Sequence, residues 1–203
     1  MFERHSALAG ALKSSGRDGA DGRRRLRLGE TRGWTLVQVA AFATTSAGLD
    51  NALRSVLGGE LPTRTGDLVH VGGRRLLKTG PEQYWIITDD RDDILPALQI
   101  AVTAQIGAIT PLSHSRTCIF IEGAAARELL AKGVPLDFHP DAFRIGQFAF
   151  TGLHHTPVLI HRRGEHLYEL YALRTFGLAV WEWLTDAALA CGYQIVGNTV
   201  QSP

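Results

Sequence analysis

The 203-residue sequence contains only two cysteines and no apolar run close to the roughly 20 residues that a membrane-spanning helix requires. Cys118 and Cys191 are too few for a disulfide framework and lack the spacing of metal ligands, so we interpret both as small buried apolar residues. The apolar stretch at residues 8–12 is shorter than the apolar core of a signal peptide. We therefore expect no membrane association and a cytoplasmic location.

Phosphate-binding loops and an excess of either charge are also missing. No G-x-G-x-x-G follows a strand pattern and no G-x-x-x-x-G-K-[ST] occurs, so we expect no cofactor bound by this chain itself. Lys and Arg number 21 against 20 Asp and Glu, which predicts no general attraction to nucleic acid. The exception is the basic run at residues 23–27. It lacks interleaved aromatic residues, and we interpret it as a solvated arm or a contact with a protein partner.

The apolar content of 45% is enough for a packed core, and strand and helix patterns alternate along the chain. From Trp34 the order is strand, helix, hairpin, buried strand, helix and strand, and a similar order repeats after Arg116. Asp89 to Asp93 offer N-cap candidates for the second helix. Two successive β-α-β-β-α-β-like units predict an α+β fold with antiparallel sheets covered by helices on one face.

Residues 13–22 combine Ser, Gly, Asp and Arg without apolar periodicity, a composition that cannot offset the entropy of ordering the chain. We therefore expect a mobile N-terminal arm at residues 1–28. The first α+β unit is predicted at residues 29–112 and the second at residues 113–203.

Four polar residues, Ser113, His114, Ser115 and Arg116, stand where a buried strand should begin. A hydroxyl beside an imidazole suits nucleophilic catalysis, but that chemistry also requires a third group to orient the imidazole and an oxyanion hole. The alternative is a linker whose hydroxyls bind main-chain groups, with Arg116 paired to a carboxylate. We assign these residues to positioning and predict no catalytic residue.

Histidines in the segment at residues 154–166 invite comparison with a metal site. His155 and His161 share strand parity, and His161 could face His166 across a turn. Zinc requires three or four ligands, so Glu165 or Glu169 would have to contribute. We favour an exposed polar hairpin and predict no metal, with a metal-assisted hydrolase as the weaker alternative.

The last helix pattern carries a stripe of apolar residues at i, i+3, i+4 and i+7 spacing that we predict to be its core face, comprising Phe176, Ala179, Val180, Trp183, Leu184, Ala187 and Cys191. Trp181 lies off this stripe. Either a neighbouring strand covers it or it anchors a protein interface, where tryptophan is common. We predict that Trp181 is available to a partner, with Leu178, Arg116 and His114 as further interface candidates.

Four stretches of the sequence, at residues 80–88, 112–143, 151–161 and 171–188, resemble the gamma subunit of heterotetrameric sarcosine oxidase. The most specific of them contains KGVPLDFHP, a helix stop followed by a Pro-Leu-Asp-x-His-Pro loop. That family is similar to the folate-binding aminomethyltransferase fold.

The resemblance implies an accessory, interface-forming subunit of a complex that oxidises sarcosine to glycine with release of hydrogen peroxide, the methyl carbon leaving as formaldehyde or methylene-tetrahydrofolate. The partners it implies are alpha, beta and delta subunits. FAD, FMN and NAD are expected on those partners, and the gamma subunit is expected to pack on alpha without a cofactor. The alternative is a stand-alone folate-binding or aminomethyltransferase-like protein, for which Asp137 and Glu122 are the candidate carboxylates.

Overall fold

A computed structural model describes residues 5–197 and 199–200. Its strands are β1 (Gly16–Arg17), β2 (Leu26–Arg32), β3 (Trp34–Ala41), β4 (Leu68–Val71), β5 (Arg74–Gly80), β6 (Gln83–Asp89), β7 (Gly107–Pro111), β8 (Arg116–Glu122), β9 (Phe148–Leu153), β10 (Thr156–Arg162), β11 (Leu167–Leu173), β12 (Tyr193–Ile195) and β13 (Thr199–Val200). Its helices are α1 (Ser46–Leu57), α2 (Leu95–Ala101), α3 (Ala126–Ala131) and α4 (Gly177–Ala187), with 3₁₀ turns at Ser113–Ser115 and Arg174–Phe176. None of the helices in the described part of the chain is long and apolar enough to cross a bilayer.

The chain forms two compact units. The continuous unit holds Gly33–Ser113, and the discontinuous unit holds the residues up to Arg32 together with His114–Val200. Both units combine a β-sheet with helices packed on one face, and this confirms the predicted α+β class.

The continuous unit contains a five-stranded antiparallel sheet in the order β4-β5-β6-β3-β7. Helix α1 buries Leu49, Leu53 and Leu57 against the sheet, as the four-residue spacing of these leucines requires. It ends at Gly58, whose φ of 71° is the left-handed conformation that glycine adopts without steric cost.

Helix α2 of this unit is not capped by the aspartates before it. Its N-cap is Ile94, and no side chain in the described part of the chain forms a capping hydrogen bond there. Asp92 instead accepts hydrogen bonds from Arg74 Nη2 at 2.9 Å and from the Thr88 hydroxyl at 2.6 Å. The expected capping role is therefore wrong for Asp92, because a guanidinium on β5 binds its carboxylate.

The discontinuous unit contains an eight-stranded sheet in the order β1-β12-β2-β8-β11-β10-β9, with β13 paired to β2. Strands β8 to β11 pair antiparallel, whereas β12 and β13 run parallel to β2. Helices α3 and α4 pack on one face, over a core that includes Ile119, Tyr168, Leu170 and Leu184.

The two sheets share one topology apart from an insertion. In the continuous unit the first strand, β3, lies between β6 and the last strand, β7. In the discontinuous unit the equivalent first strand is β8 and the last is β12, but β2 lies between them. The predicted repetition of units is therefore present in the strand order, and an N-terminal strand has entered the second sheet.

Residues 1–28, which we expected to form a mobile arm, include segments that pack within the discontinuous unit. Leu8 and Leu26 are buried in the core of the discontinuous unit, and Arg17 of β1 pairs with Tyr193 of β12. The amide of Ile195 donates to the carbonyl of Ser15. The expectation of an arm is wrong for these residues, because paired strands satisfy the main chain of a segment whose composition is poor in apolar side chains.

Candidate functional site

The polar residues at 113–116 form a 3₁₀ turn and the start of β8. The Ser113 hydroxyl accepts a hydrogen bond from the Leu36 amide at 2.9 Å and lies 3.3 Å from the Leu36 carbonyl, so it continues the pairing of β3 with β7. This contact with the main chain of β3 supports a positioning role for Ser113.

Arg116 begins β8 half-buried, and its Nη1 contacts the carbonyl and hydroxyl of Ser115 at 3.3 and 3.1 Å. Burial lowers its pKa, since desolvation disfavours the charged form. Its pairing with a carboxylate remains a prediction. His114, two residues earlier, is exposed.

Strand β11 ends beside Arg116, because Leu173 is its partner in the antiparallel register. Over the next few residues three large apolar side chains reach the surface: Leu173 is 36% exposed, Phe176 42% and Leu178 48%. We call these three residues, with His114 and Arg116, the end surface. Exposed apolar and arginine side chains in one region are typical of a protein interface.

The N-terminal segment packs against the residues that carry the end surface. The guanidinium of Arg174 donates to the main-chain carbonyl of His5. A Cβ placed on Gly177 would lie 3.2 Å from both the Ala7 Cβ and the Thr117 hydroxyl, so the first turn of α4 contacts β8 and the N-terminal segment closely. The end surface is therefore built on packed main chain from three parts of the unit.

Trp181 does not belong to the end surface. It is 3% exposed and packs in the core with Val180 and Leu184, so the expectation that it is available to a partner is wrong. Trp183, predicted to be a core residue, is only partly buried. The buried face of α4 passes through Gly177, Val180, Trp181, Leu184 and Ala188.

The sequence contained the signal for this face. Residues 177, 180, 181, 184 and 188 follow the same i, i+3, i+4, i+7 spacing as the predicted stripe, shifted by one residue, which is a rotation of about 100° on the helix. Gly177 has no side chain, so it does not contribute to a hydrophobic pattern. It lies where α4 approaches β8, and this close approach determines which face of the helix is buried.

The histidines do not converge. His154 and His155 form the β9–β10 turn with ring centroids 6.1 Å apart, and the His154 ring packs against Trp183 at 5.5 Å. His161 lies at the other end of β10, and His166 is exposed beside Glu165. In the part of the chain that the structure describes, no three His, Cys, Asp or Glu side chains are grouped to hold a metal.

The burial of Glu169, named above only as a possible metal ligand, was missed by sequence reasoning. Glu169 is fully buried, and its Oε1 and Oε2 accept hydrogen bonds from Arg163 at 2.9 Å and the Tyr171 hydroxyl at 2.7 Å. His161, its partner across β10 and β11, places Nδ1 3.6 Å from Oε2. His161, Arg163 and Glu169 of this hairpin therefore form an internal cluster. Glu165 and His166 at its tip are exposed, as the sequence favoured.

The two carboxylates named for folate have other roles. Asp137 is exposed and accepts a hydrogen bond from the His139 amide at 2.8 Å, which closes a local turn in the KGVPLDFHP loop. Glu122 pairs with Arg27 across β8 and β2. Neither residue lies in a buried position that would suit a pterin ring.

Acidic neighbours neutralise most of the basic run at residues 23–27. Arg24 lies 2.7 Å from Asp18, Arg25 lies 3.7 Å from Glu128, and Arg27 pairs with Glu122. These contacts favour a structural role for the run over attraction to phosphate. Cys118 and Cys191 are both buried, in agreement with their interpretation as apolar residues.

Comparison with known proteins gives a consistent result. The model of the family described as "Sarcosine oxidase, gamma subunit family" matches residues 40–190. Sarcosine oxidase subunit gamma of Arthrobacter sp is 31% identical over 168 residues, which cover 78% of this chain and 82% of that protein. The subunit of the same name from Corynebacterium sp. (strain U-96) is 31% identical over 137 residues, 67% of each chain.

Solved structures extend the match to the fold. A chain of the heterotetrameric sarcosine oxidase from Corynebacterium sp. U-96, in complex with pyrrole 2-carboxylate, superposes with a TM-score of 0.77 at 27% identity, covering 91% of this chain and 94% of that one. Aminomethyltransferase T of the glycine cleavage system from Bartonella henselae shares the fold, with a TM-score of 0.62 at 13% identity over 80% of this chain and 46% of that protein. The chain therefore belongs to the sarcosine oxidase gamma subunit family.

Proposed function

We propose that this protein is the non-catalytic gamma subunit of a heterotetrameric sarcosine oxidase, a complex that oxidatively demethylates sarcosine to glycine and releases hydrogen peroxide. The observation that carries the proposal is the family match over residues 40–190, together with a fold that covers nearly all of a chain from a solved complex of this kind. The chemistry belongs to the complex, and this chain contributes to its assembly.

The arrangement of side chains supports an accessory role. Ser113 is engaged with the main chain of Leu36, and Glu169 is enclosed by its hydrogen-bond donors, so neither group is placed to react with a small substrate. FAD, FMN and NAD would be bound by the partner subunits, and the complex would be located in the cytoplasm.

The end surface supplies the contact with the partners, which on this proposal are the alpha, beta and delta subunits, with alpha as the one bound directly. Leu178 remains an interface residue, as do Arg116 and His114, and Leu173 and Phe176 join them because both are exposed. Trp181 acts only indirectly, by fixing the helix that carries Leu178.

Co-expression tests the proposal. The tagged chain is produced with the three partner subunits encoded by the same organism, and alone as the control. We expect the three partners and flavin absorbance to co-purify with the tagged chain, sarcosine-dependent peroxide release by this complex, and a colourless, inactive isolated chain. A flavin spectrum or sarcosine oxidation in the isolated chain would overturn the accessory role, and failure of any partner to co-purify would overturn the assembly.

A further inference from the structure

The end surface and its support carry charge of one sign. Three segments build them, at residues 5–12, 113–117 and 173–181, and none of the three contains an aspartate or a glutamate. They contain two arginines, Arg116 and Arg174, and two histidines, His5 and His114. The three segments therefore carry only positive formal charge, although the whole chain carries a formal charge of only +1.

One neutral main-chain group holds the guanidinium of Arg174 in place. It donates to the carbonyl oxygen of His5, which orients the side chain and leaves its positive charge in full. Elsewhere in the same unit, Arg24, Arg27 and Arg163 each lie within hydrogen-bond distance of a carboxylate. Arg174 thus keeps a charge that comparable arginines of the unit share with an acidic residue.

Arg174 lies at the border of the apolar side chains, because it follows Leu173 directly in the chain. Leu173 in turn sits opposite Arg116 in the β8–β11 register. A partner that covers Leu173 therefore also approaches the guanidinium of Arg174.

Covering such groups restricts the chemistry of the partner. Removing a guanidinium from water costs free energy unless a carboxylate replaces the lost hydration, and a second cation opposite it repels. An entirely apolar partner would meet Leu173, Phe176 and Leu178 but would leave the guanidinium of Arg174 uncompensated. We infer that the end surface binds a partner surface with an apolar centre and a carboxylate at its border, and that this carboxylate pairs with Arg174.

This inference rests on the proposed function, since it describes the partner subunit at that contact. The probe is the subassembly of the three partner subunits, titrated with the full-length chain at increasing sodium chloride. Three proteins are compared: the wild type, Arg174→Glu and Arg174→Gln. Arg17→Glu, an exposed arginine in β1, is the matched control for charge reversal.

For wild type we expect the dissociation constant to rise with salt, because screening weakens contacts between opposite charges. Arg174→Glu should weaken binding by about tenfold or more, since like charges would then face each other. Arg174→Gln should fall between the two and show a shallower salt dependence. Arg17→Glu should change the dissociation constant by less than about twofold, a difference small enough to exclude a general charge effect.

Unfolding midpoints of each variant establish that the fold is intact. If the wild type binds the subassembly and Arg174→Glu binds equally well, or more tightly, the inference is wrong while the proposed function stands. If the wild type does not bind the subassembly at all, the proposed function fails and this inference fails with it. Arg174→Gln decides the question should Arg174→Glu not fold.

Discussion

A Cβ atom placed on Gly133 would lie 2.4 Å from Cζ2 of Trp183, closer than side-chain carbons approach one another. The same indole packs against the His154 ring, and the His154 amide donates to the Gly133 carbonyl at 3.0 Å. The end of α3, the middle of α4 and the β9–β10 turn therefore meet where position 133 has no side chain. This glycine begins the Val-Pro-Leu-Asp loop that made the sequence recognisable.

Gly133→Ala is expected to destabilise the protein by about 1–3 kcal/mol, because the added methyl group must displace the indole. In a Trp183→Ala background the same substitution should cost much less, since the clashing ring is gone. Gly10→Ala is the control, since a Cβ there meets nothing within 4 Å. Urea unfolding of the variants measures the difference, and equal costs in both backgrounds would locate the strain elsewhere.

The two tryptophans of α4 should respond differently to truncation. Trp181→Ala should lower the free energy of unfolding by about 3–5 kcal/mol, the cost of removing a large buried side chain. Trp183→Ala should cost about half as much, because part of its ring is already in water. Chemical denaturation of the isolated chain compares them directly. A larger effect at Trp183 would contradict the burial of Trp181.

Two tyrosines on β11 differ in how their hydroxyls are satisfied. Among the residues that the structure describes, the buried Tyr168 hydroxyl has no hydrogen-bond partner, whereas the Tyr171 hydroxyl donates to Glu169 at 2.7 Å. Tyr168→Phe should leave stability unchanged or raise it by up to about 1 kcal/mol, because an unsatisfied polar group is removed. Tyr171→Phe should cost about 1.5–3 kcal/mol, the range for a hydrogen bond to a charged group. Thermal unfolding of the pair provides the test, and a loss at Tyr168 would indicate a partner bound to that hydroxyl.

Acid stability should depend on Asp92. Hydrogen bonds from Arg74 and then from Thr88 hold the pKa of Asp92 below its ordinary value. A carboxyl with a lowered pKa contributes stability that is complete above its unfolded pKa of about 3.9 and is lost as the pH falls through its folded pKa. Asp92→Asn should therefore cost about 2 kcal/mol at neutral pH.

The same substitution should also weaken the dependence of stability on pH below about pH 4, because one proton fewer is taken up on unfolding in that range. Urea midpoints measured between neutral and acid pH give both quantities. Asp93→Asn changes the exposed neighbouring residue and should leave the curve unaltered. Parallel curves for wild type and Asp92→Asn would show that this carboxyl does not stabilise the fold through its charge.

Amide hydrogen exchange should reveal how firmly the N-terminal segment is held. The Ile195 amide donates to Ser15, and the Arg25 amide lies 3.1 Å from the Gly192 carbonyl, so both should be protected. The amide of the exposed residue Ala20, for which no hydrogen bond is described, serves as the unprotected reference. Rapid exchange at Arg25 and Ile195 would restore the idea of a mobile arm.

Much of the architecture was accessible from the sequence because its strands are continuous apolar runs bounded by glycine or charge. The stretch QYWIIT became β6 and TCIFIE lies within β8, both within the order that was predicted. Gly58 ended α1, as expected for a residue without a Cβ. The residues that predict these elements lie within the elements themselves.

The rest depended on contacts between distant residues. Strand β2 reads LRLGETR, in which arginine, glycine and glutamate obscure the burial of Leu26 and Leu28. Its strand character arises because β8 and β12 supply hydrogen-bonding partners on both sides. The end surface was partly predicted through Leu178, Arg116 and His114, but the core face of α4 was set by the close approach of Gly177 to Thr117.

The position of β2 between β8 and β12 also determines the order in which this protein can fold during synthesis. The continuous unit can fold once Ser113 has emerged from the ribosome. Strand β2 is synthesised earlier, but it can pair only after β8 and then β12 have been synthesised. During that interval Leu26 and Leu28 remain in water on an unpaired strand, a state that favours aggregation. We therefore expect the nascent chain to depend on chaperones until its final residues are released, and a fusion at the C-terminus that delays this release should lower the soluble yield more than one at the N-terminus.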